Sequence, residues 1–115
     1  MGISTLSVRM LAEPLRTLAF GSISGAYMGI GTALVFPSRL LFIQNLTDAQ
    51  MLFSFDGVND HFTLPASSNF VFDITTNQQH EAGIYFSVGT RIYVKEVGTP
   101  SMGNVYVSTF YGSNL

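Results

Sequence analysis

Residues 90–111 of this chain read TRIYVKEVGTPSMGNVYVSTFY, and this stretch decides the fold class. It contains two runs rich in valine, isoleucine and aromatic residues, Thr90–Val97 and Asn104–Tyr111, and these residue types favour β-strands. The Gly98–Gly103 loop between them holds glycine and proline, which favour turns. Neither run has the 3.6-residue spacing of apolar side chains that marks a helix. The stretch therefore predicts two strands joined by a loop.

The same succession of apolar runs and turns extends towards the N-terminus as far as Arg39. About seven strands at spacings of roughly 8–12 residues are typical of a β-sandwich or small barrel. We therefore predict an all-β fold, a single antiparallel β-sandwich of jelly-roll or immunoglobulin-like type. Gly57 and Gly89 separate strands and should adopt backbone conformations that other residues disfavour. The further runs are Arg39–Gln44, Met51–Phe55, His61–Leu64, Asn69–Ile74 and Glu81–Val88, and the predicted core contains Phe42, Phe53, Phe55, Phe72, Ile92, Val94, Val105 and Val107.

The N-terminal part of the chain lacks the dense turns of the remainder. We predict an N-terminal arm of extended strands at residues 1–26 and a β-sandwich domain at residues 27–115. The arm could complete the sandwich, or it could lie on a neighbouring subunit through main-chain pairing. Because only Arg9, Glu13 and Arg16 carry charge within the first 38 residues, we expect the arm to be a principal contact.

Charge is scarce throughout the sequence. The 115 residues suffice for one domain, and 10% of them are charged, against about 25% in ordinary soluble domains. The net charge of −2 excludes an electrostatic nucleic-acid partner, and the absence of cysteine excludes disulfides and thiolate metal sites. A surface with so few charges suggests that other subunits cover much of it, so we expect a homo-oligomer.

Residues 17–38 carry no charge and are long enough to span a bilayer. Gly21, Gly25 and Gly29 even have the four-residue spacing of packed transmembrane helices. However, glycine, serine and threonine dilute the hydrophobicity, and the alternation from Met28 to Phe36 is that of a strand. The first 20 residues also lack the pattern of a signal peptide. We therefore expect no membrane partner.

Side chains that could perform chemistry are few and poorly arranged in the sequence. The acidic residues of the 56–60 loop lack the closing glutamate of a calcium loop, and neither histidine has a second histidine at metal-ligand spacing. A serine–histidine–acid triad would lack the nucleophile-elbow motif. We therefore expect no catalytic, cofactor-binding or metal-binding residues, and no enzyme activity. The side chains concerned are Ser54, Asp56, Asn59, Asp60, His61, Asp73, His80 and Ser108.

Several short motifs follow one another between Tyr27 and Gly112: Phe36-Pro37-Ser38-Arg39, Leu41–Asp48, Ser54–Gly57, Asp60-His61, Leu64–Ala66, Phe72-Asp73, Gly89–Lys95, Gly103–Ser108 and Tyr111-Gly112. In their order and spacing they resemble small virion proteins encoded in the head and neck gene clusters of tailed bacteriophages. About three-quarters of the chain is covered by this resemblance.

The resemblance implies a structural role, as a capsid decoration (cement) protein or a head–tail neck or collar protein. Its partners would be the major capsid protein or the portal and neck proteins, with no nucleic acid and no membrane. It would be located in the virion after assembly in the host cytoplasm. Two alternatives are a jelly-roll-type module that binds glycans or cell surfaces and, less favoured, a small membrane protein inserted through residues 17–38.

Overall fold

The computed structural model describes residues 9–73 and 86–113. Within these ranges the chain forms nine β-strands, one 3-10 turn at Phe20–Ser22, and no α-helix. The strands form two antiparallel sheets that pack together, which confirms the predicted β-sandwich. In chain order they are β1 (Arg9–Ala12), β2 (Arg16–Ala19), β3 (Met28–Gly29), β4 (Leu40–Thr47), β5 (Met51–Ser54), β6 (Phe62–Leu64), β7 (Ser68–Asp73), β8 (Tyr93–Glu96) and β9 (Gly103–Ser113).

The larger sheet is built around the 11-residue strand β9, which has partner strands on both sides. Strand β4 lies along one side of it, from Leu40 opposite Phe110 to Thr47 opposite Gly103. On the other side β1 and β2 lie end to end, β1 against the C-terminal part of β9 and β2 against its N-terminal part. Strand β7 completes this five-stranded sheet beside β4, and the four-stranded sheet has the order β3-β8-β5-β6.

The core lies between the sheets and is formed by alternate residues of the central strands. Side chains in a strand point alternately to the two faces, so each strand contributes every second residue to the core. Burying one such aliphatic or aromatic side chain contributes about 1.5–3 kcal/mol. Apolar residues with no more than 1% exposure are Ile30, Leu41, Ile43, Met51, Phe53, Ile92, Val94, Val105 and Val107.

The predicted core is confirmed for Phe53 and for the four β-branched residues of the C-terminal runs. Phe55 and Phe72 are partly buried and pack against the core at its margin. The prediction for Phe42 is wrong, because Phe42 lies on the opposite face of β4 from the buried Leu41 and Ile43. Residues 40–43 are all apolar, so alternation alone could not show which face of this strand is turned inward.

The N-terminal segment is part of the sandwich from residue 9 onward. Strands β1 and β2 extend the five-stranded sheet by pairing with β9 of the same chain, and β3 joins the other sheet through β8. Of the two arrangements open for the arm, residues 9–19 therefore adopt the one that completes the sandwich. Among the described residues, no helical segment has the length and apolar character that crossing a membrane requires.

Two predicted glycine conformations are confirmed, with φ of 76° at Gly57 and 91° at Gly89. Most of the predicted Glu81–Val88 strand lies outside the described residues. Phe86, the first residue after that gap, forms an isolated bridge with Ser38.

A buried asparagine joins two corners where the chain crosses between the sheets. Asn45 is fully buried in β4, and its Nδ2 donates to the carbonyls of Ala49 (2.9 Å) and Leu64 (3.1 Å). Its Oδ1 accepts hydrogen bonds from the backbone N–H (3.1 Å) and the hydroxyl (2.7 Å) of Thr47. The β4–β5 corner and the β6–β7 corner are therefore held by one side chain.

Candidate interaction surface

The outward side of the five-stranded sheet follows directly from the strand register. Residues directly opposite each other in an antiparallel pair project to the same face of the sheet. Since Leu41 and Ile43 of β4 face the core, Leu40 and Phe42 face outward together with every residue in register with them. This outer face consists of Met10, Ala12, Thr17, Ala19, Leu40, Phe42, Gln44, Leu46, Asn69, Val71, Asp73, Asn104, Tyr106, Ser108, Phe110 and Gly112.

The outer face combines apolar, aromatic and neutral polar side chains. Phe42 lies near its middle, with Val71 of β7 on one side and Ser108 of β9 on the other. Met10 and Val71 are 48% and 46% exposed. Asp73 is the one charged residue among the outer-face positions, and it lies at the end of β7. In an antiparallel sheet, the residues that face solvent are ordinarily polar or charged. The outer face is unusual because it carries apolar residues and almost no charge.

The scarce charges of the chain are concentrated elsewhere. Glu13 and Arg16 are buried, and several others lie in turns and loops. Three more charged residues lie near the four-stranded sheet: Arg91 shortly before β8, and Lys95 and Glu96 within it. This distribution leaves the outer face almost neutral, although the molecule as a whole carries charges of both signs. The charged residues in these other regions are Asp48, Asp56, Asp60, Arg91, Lys95 and Glu96. Arg9 in β1 and Arg39 directly before β4 are also charged, but each precedes an outer-face position by one residue and so lies on the other side of the alternation.

The edge of the outer face formed by β1 and β2 is anchored by a buried ion pair. Arg16 donates from Nη2 to Glu13 Oε1 at 2.7 Å, and both side chains are no more than 5% exposed. The same guanidinium donates to the Thr32 carbonyl at 2.7 Å and to Thr109 Oγ1 at 3.0 Å. A buried pair is tolerated when further hydrogen bonds satisfy both groups, and here they connect β2, β9 and the loop before β4.

Glu13 receives hydrogen bonds from the backbone N–H groups of Val35 and Phe36 as well as from Arg16. Burial by itself raises the pKa of Glu13, but these hydrogen bonds and the charge of Arg16 outweigh it and hold the pKa below its ordinary value. A Cβ at Gly31 would lie 2.8 Å from the Arg16 side chain, so the loop approaches this closely only with glycine there. The sequence alone does not predict this network. The one local feature that indicates it is the three-residue spacing of the oppositely charged Glu13 and Arg16.

The acidic loop, residues 56–60, is held by hydrogen bonds and an ion pair within the molecule. Asp56 accepts hydrogen bonds from the backbone N–H groups of Asn59 and Val58 and from the Ser54 hydroxyl, and these bonds hold its pKa well below the usual range. Asp60 accepts from the Tyr27 hydroxyl and pairs with Lys95 at 3.2 Å. Within residues 9–73 and 86–113, no group of three histidine, aspartate or glutamate side chains is placed to hold a metal ion.

The structure does not assemble the serine, histidine and acid considered from the sequence. Ser54 is buried in the four-stranded sheet and bonded to the acidic loop, whereas Ser108 and Asp73 belong to the outer face of the other sheet. His61 Nδ1 accepts the backbone N–H of Phe55 at 2.9 Å, which is a turn-stabilising contact. His80 lies outside the described residues. The prediction that the protein is not an enzyme stays a prediction.

No protein-family model and no curated protein matches this chain. Among solved structures it is similar to the Dit protein (gp 19.1) of SPP1, which is described as a paradigm of the hub adsorption apparatus in Gram-positive infecting phages. The TM-score is 0.39 with 12% sequence identity, and the match covers 89% of this chain and 49% of that chain. This chain therefore spans about half the length of that protein. At this TM-score the likeness does not extend to function.

Proposed function

We propose that this protein is a structural subunit of a tailed-bacteriophage virion and that the outer face is its contact surface. The observation that carries the proposal is the almost uncharged outer face centred on Phe42, with apolar side chains exposed on three of its strands. Exposed apolar patches of this kind mark interaction sites in soluble proteins. The resemblance of residues 27–112 to head and neck proteins supports a partner within the virion.

The energetics favour a contact that is repeated many times. Apolar surface removed from water contributes about 25 cal/mol per Å², but the loss of motion on association offsets much of that gain. Equivalent contacts repeated in a symmetric particle act together, so each one can be weak. The proposed partners are the major capsid protein or the portal and neck proteins, with the subunit acting as a capsid decoration or as a neck component.

The experiment is a complementation test in a phage from which this gene has been deleted. Plasmids supply the wild-type protein, Phe42→Asp, which puts a charge in the middle of the outer face, or Val58→Asp. Val58 is 78% exposed in the loop between β5 and β6, so Val58→Asp is a matched change away from the outer face. Mass spectrometry of purified particles then measures the copy number of each protein.

We expect wild-type copy numbers for Val58→Asp and loss of Phe42→Asp from the particles, with both variants folded by circular dichroism. Hundreds of copies per particle would identify a decoration protein, and about a dozen would identify a neck protein. Incorporation of Phe42→Asp at the wild-type level would contradict the role of the outer face. Absence of the wild-type protein from particles would overturn the structural role, and binding to a glycan array would then favour the glycan-binding alternative.

A further inference from the structure

We infer that the outer face binds the outer face of a second copy of this chain, related by a two-fold axis between the two sheets close to Phe42. The inference takes from the proposed function only that the outer face is a contact surface. It commits to the chain itself as the occupant, and three properties of the outer face support that choice.

The first property is its charge. In a two-fold interface each patch meets an identical patch, so a strongly charged surface would repel its own copy. Apolar and neutral polar groups such as Phe42, Tyr106 and Gln44 have no such conflict. Asp73 is the one charge among the outer-face positions, and it belongs to β7 rather than to the central β4. Because β7 lies beside β4, a two-fold axis that runs along β4 puts the two Asp73 side chains on opposite sides of the axis.

The second property is the size of the outer face. Strand β4 has eight residues, and residues in a strand are ~3.3 Å apart. The sheet is four strand positions wide, and neighbouring strands are ~4.8 Å apart. The product of this length and this width is about 500 Å² of flat area per copy. Two copies then contribute about 1,000 Å² before the relief of side chains is counted, which reaches the minimum of about 1,000 Å² for a specific interface. A patch much smaller than this would not support a stable dimer.

The third property is its regular shape. The continuous register of β4 with β9 over Leu40–Thr47, and with β7 over Leu40–Asn45, makes the surface an uninterrupted sheet. Sheets pack face to face with aligned strands and interdigitating side chains, about 10 Å apart. The outer face can therefore pack on its own copy in the way that the inner face packs on the four-stranded sheet. In such a dimer, Phe42 of one subunit lies near Phe42 of the other.

Sedimentation equilibrium of the purified full-length protein tests the inference. We expect a concentration-dependent dimer for the wild-type chain and for Val58→Asp. Phe42→Asp should raise the dimer dissociation constant by at least about 100-fold, because the interface would bury two like charges. Val71→Asp, at an exposed position of the same face, is a second variant should Phe42→Asp fail to fold.

Mixing two charged variants tests the two-fold relation itself. Phe42→Asp and Phe42→Lys should each be monomeric, and an equimolar mixture should form a heterodimer because opposite charges meet near the axis. A mixture that remains monomeric would overturn the two-fold arrangement. A wild-type chain that is monomeric at its highest soluble concentration would overturn the inference, while loss of Phe42→Asp from particles would still support the proposed function through a different partner.

Discussion

At the scale of single residues, the sandwich depends on polar side chains that are buried and satisfied. Asn45 has no exposed surface, and both ends of its amide are used at the corners where β4 and β6 end. A buried polar group contributes little net stability when it is bonded, but removing it leaves its partners without hydrogen bonds and without water. Such a residue therefore specifies where the corners meet.

We expect Asn45→Ala to lower the free energy of unfolding by about 2–4 kcal/mol, because carbonyls at two corners lose their shared donor. Urea unfolding followed by tyrosine fluorescence measures the effect. Asn69→Ala removes the same amide from an exposed position of β7 and should change stability by less than about 0.5 kcal/mol. Equal losses in the two variants would contradict the role of the corner.

Gly57 makes a second residue-scale prediction. Its φ of 76° is disfavoured for residues with a Cβ, and a Cβ there would lie 3.3 Å from the Tyr93 ring. We expect Gly57→Val to lower the melting temperature and to cost about 1–3 kcal/mol. Gly25→Val is the control, since a Cβ at Gly25 meets no atom within 4 Å. An unchanged melting temperature for Gly57→Val would show that the loop rearranges without strain.

At the scale of elements, two sets of contacts stabilise the short strands β1 and β2, one with the five-stranded sheet and one with the loop before β4. Each has four residues, which is too short for independent stability. Backbone pairing with β9 fixes one side, and the Glu13–Arg16 pair connects their junction to the loop before β4. The ion pair therefore positions one edge of the outer face.

The pKa of Glu13 gives this arrangement a pH dependence with a definite sign. Because the folded-state pKa is below the ordinary carboxyl value, the stabilisation is complete above that ordinary value and is lost as the pH falls through the folded-state pKa. Glu13→Gln should therefore be less stable than wild type at neutral pH, and the difference should shrink as the pH is lowered. Thermal melts from neutral to acidic pH measure this, and a difference that is independent of pH would contradict it.

At the scale of the whole molecule, the five-stranded sheet has two faces that both suit burial. One face packs on the four-stranded sheet, and the other carries apolar and neutral groups with charge only at its margin. A monomer with such a surface would be prone to non-specific association. The proposed contact would cover the outer face, which would remove this hazard and account for the low charge of the sequence.

Truncation at the N-terminus should affect folding as well as assembly. Removing residues 1–19 deletes β1 and β2, exposes one side of β9 and leaves Thr109 without Arg16. We expect this chain to lose cooperative unfolding in urea. A chain that lacks only residues 1–8 keeps all the described strands and is the matched control. A cooperative transition for the chain that lacks residues 1–19 would contradict the structural role of β1 and β2.

By itself, the sequence determined the all-β class, the positive φ at Gly57 and Gly89, and part of the core, since five of the eight predicted core residues are buried. These features are local, since residue type, alternation and turn chemistry act over a few neighbouring positions. The same locality explains the correct assignment of Val105 and Val107, which alternate with more polar residues and so have a defined inward face.

Only the tertiary structure decided which face of β4 is buried, where the N-terminal strands pair, and which residues form the outer face. Residues 40–43 are apolar at every position, so the inward face of β4 depends on the partner strands rather than on the pattern. The Arg16–Thr109 bond joins residues 93 positions apart, and Asn45 reaches two separate corners. Contacts between distant segments depend on register and sheet packing, which no short stretch of sequence encodes.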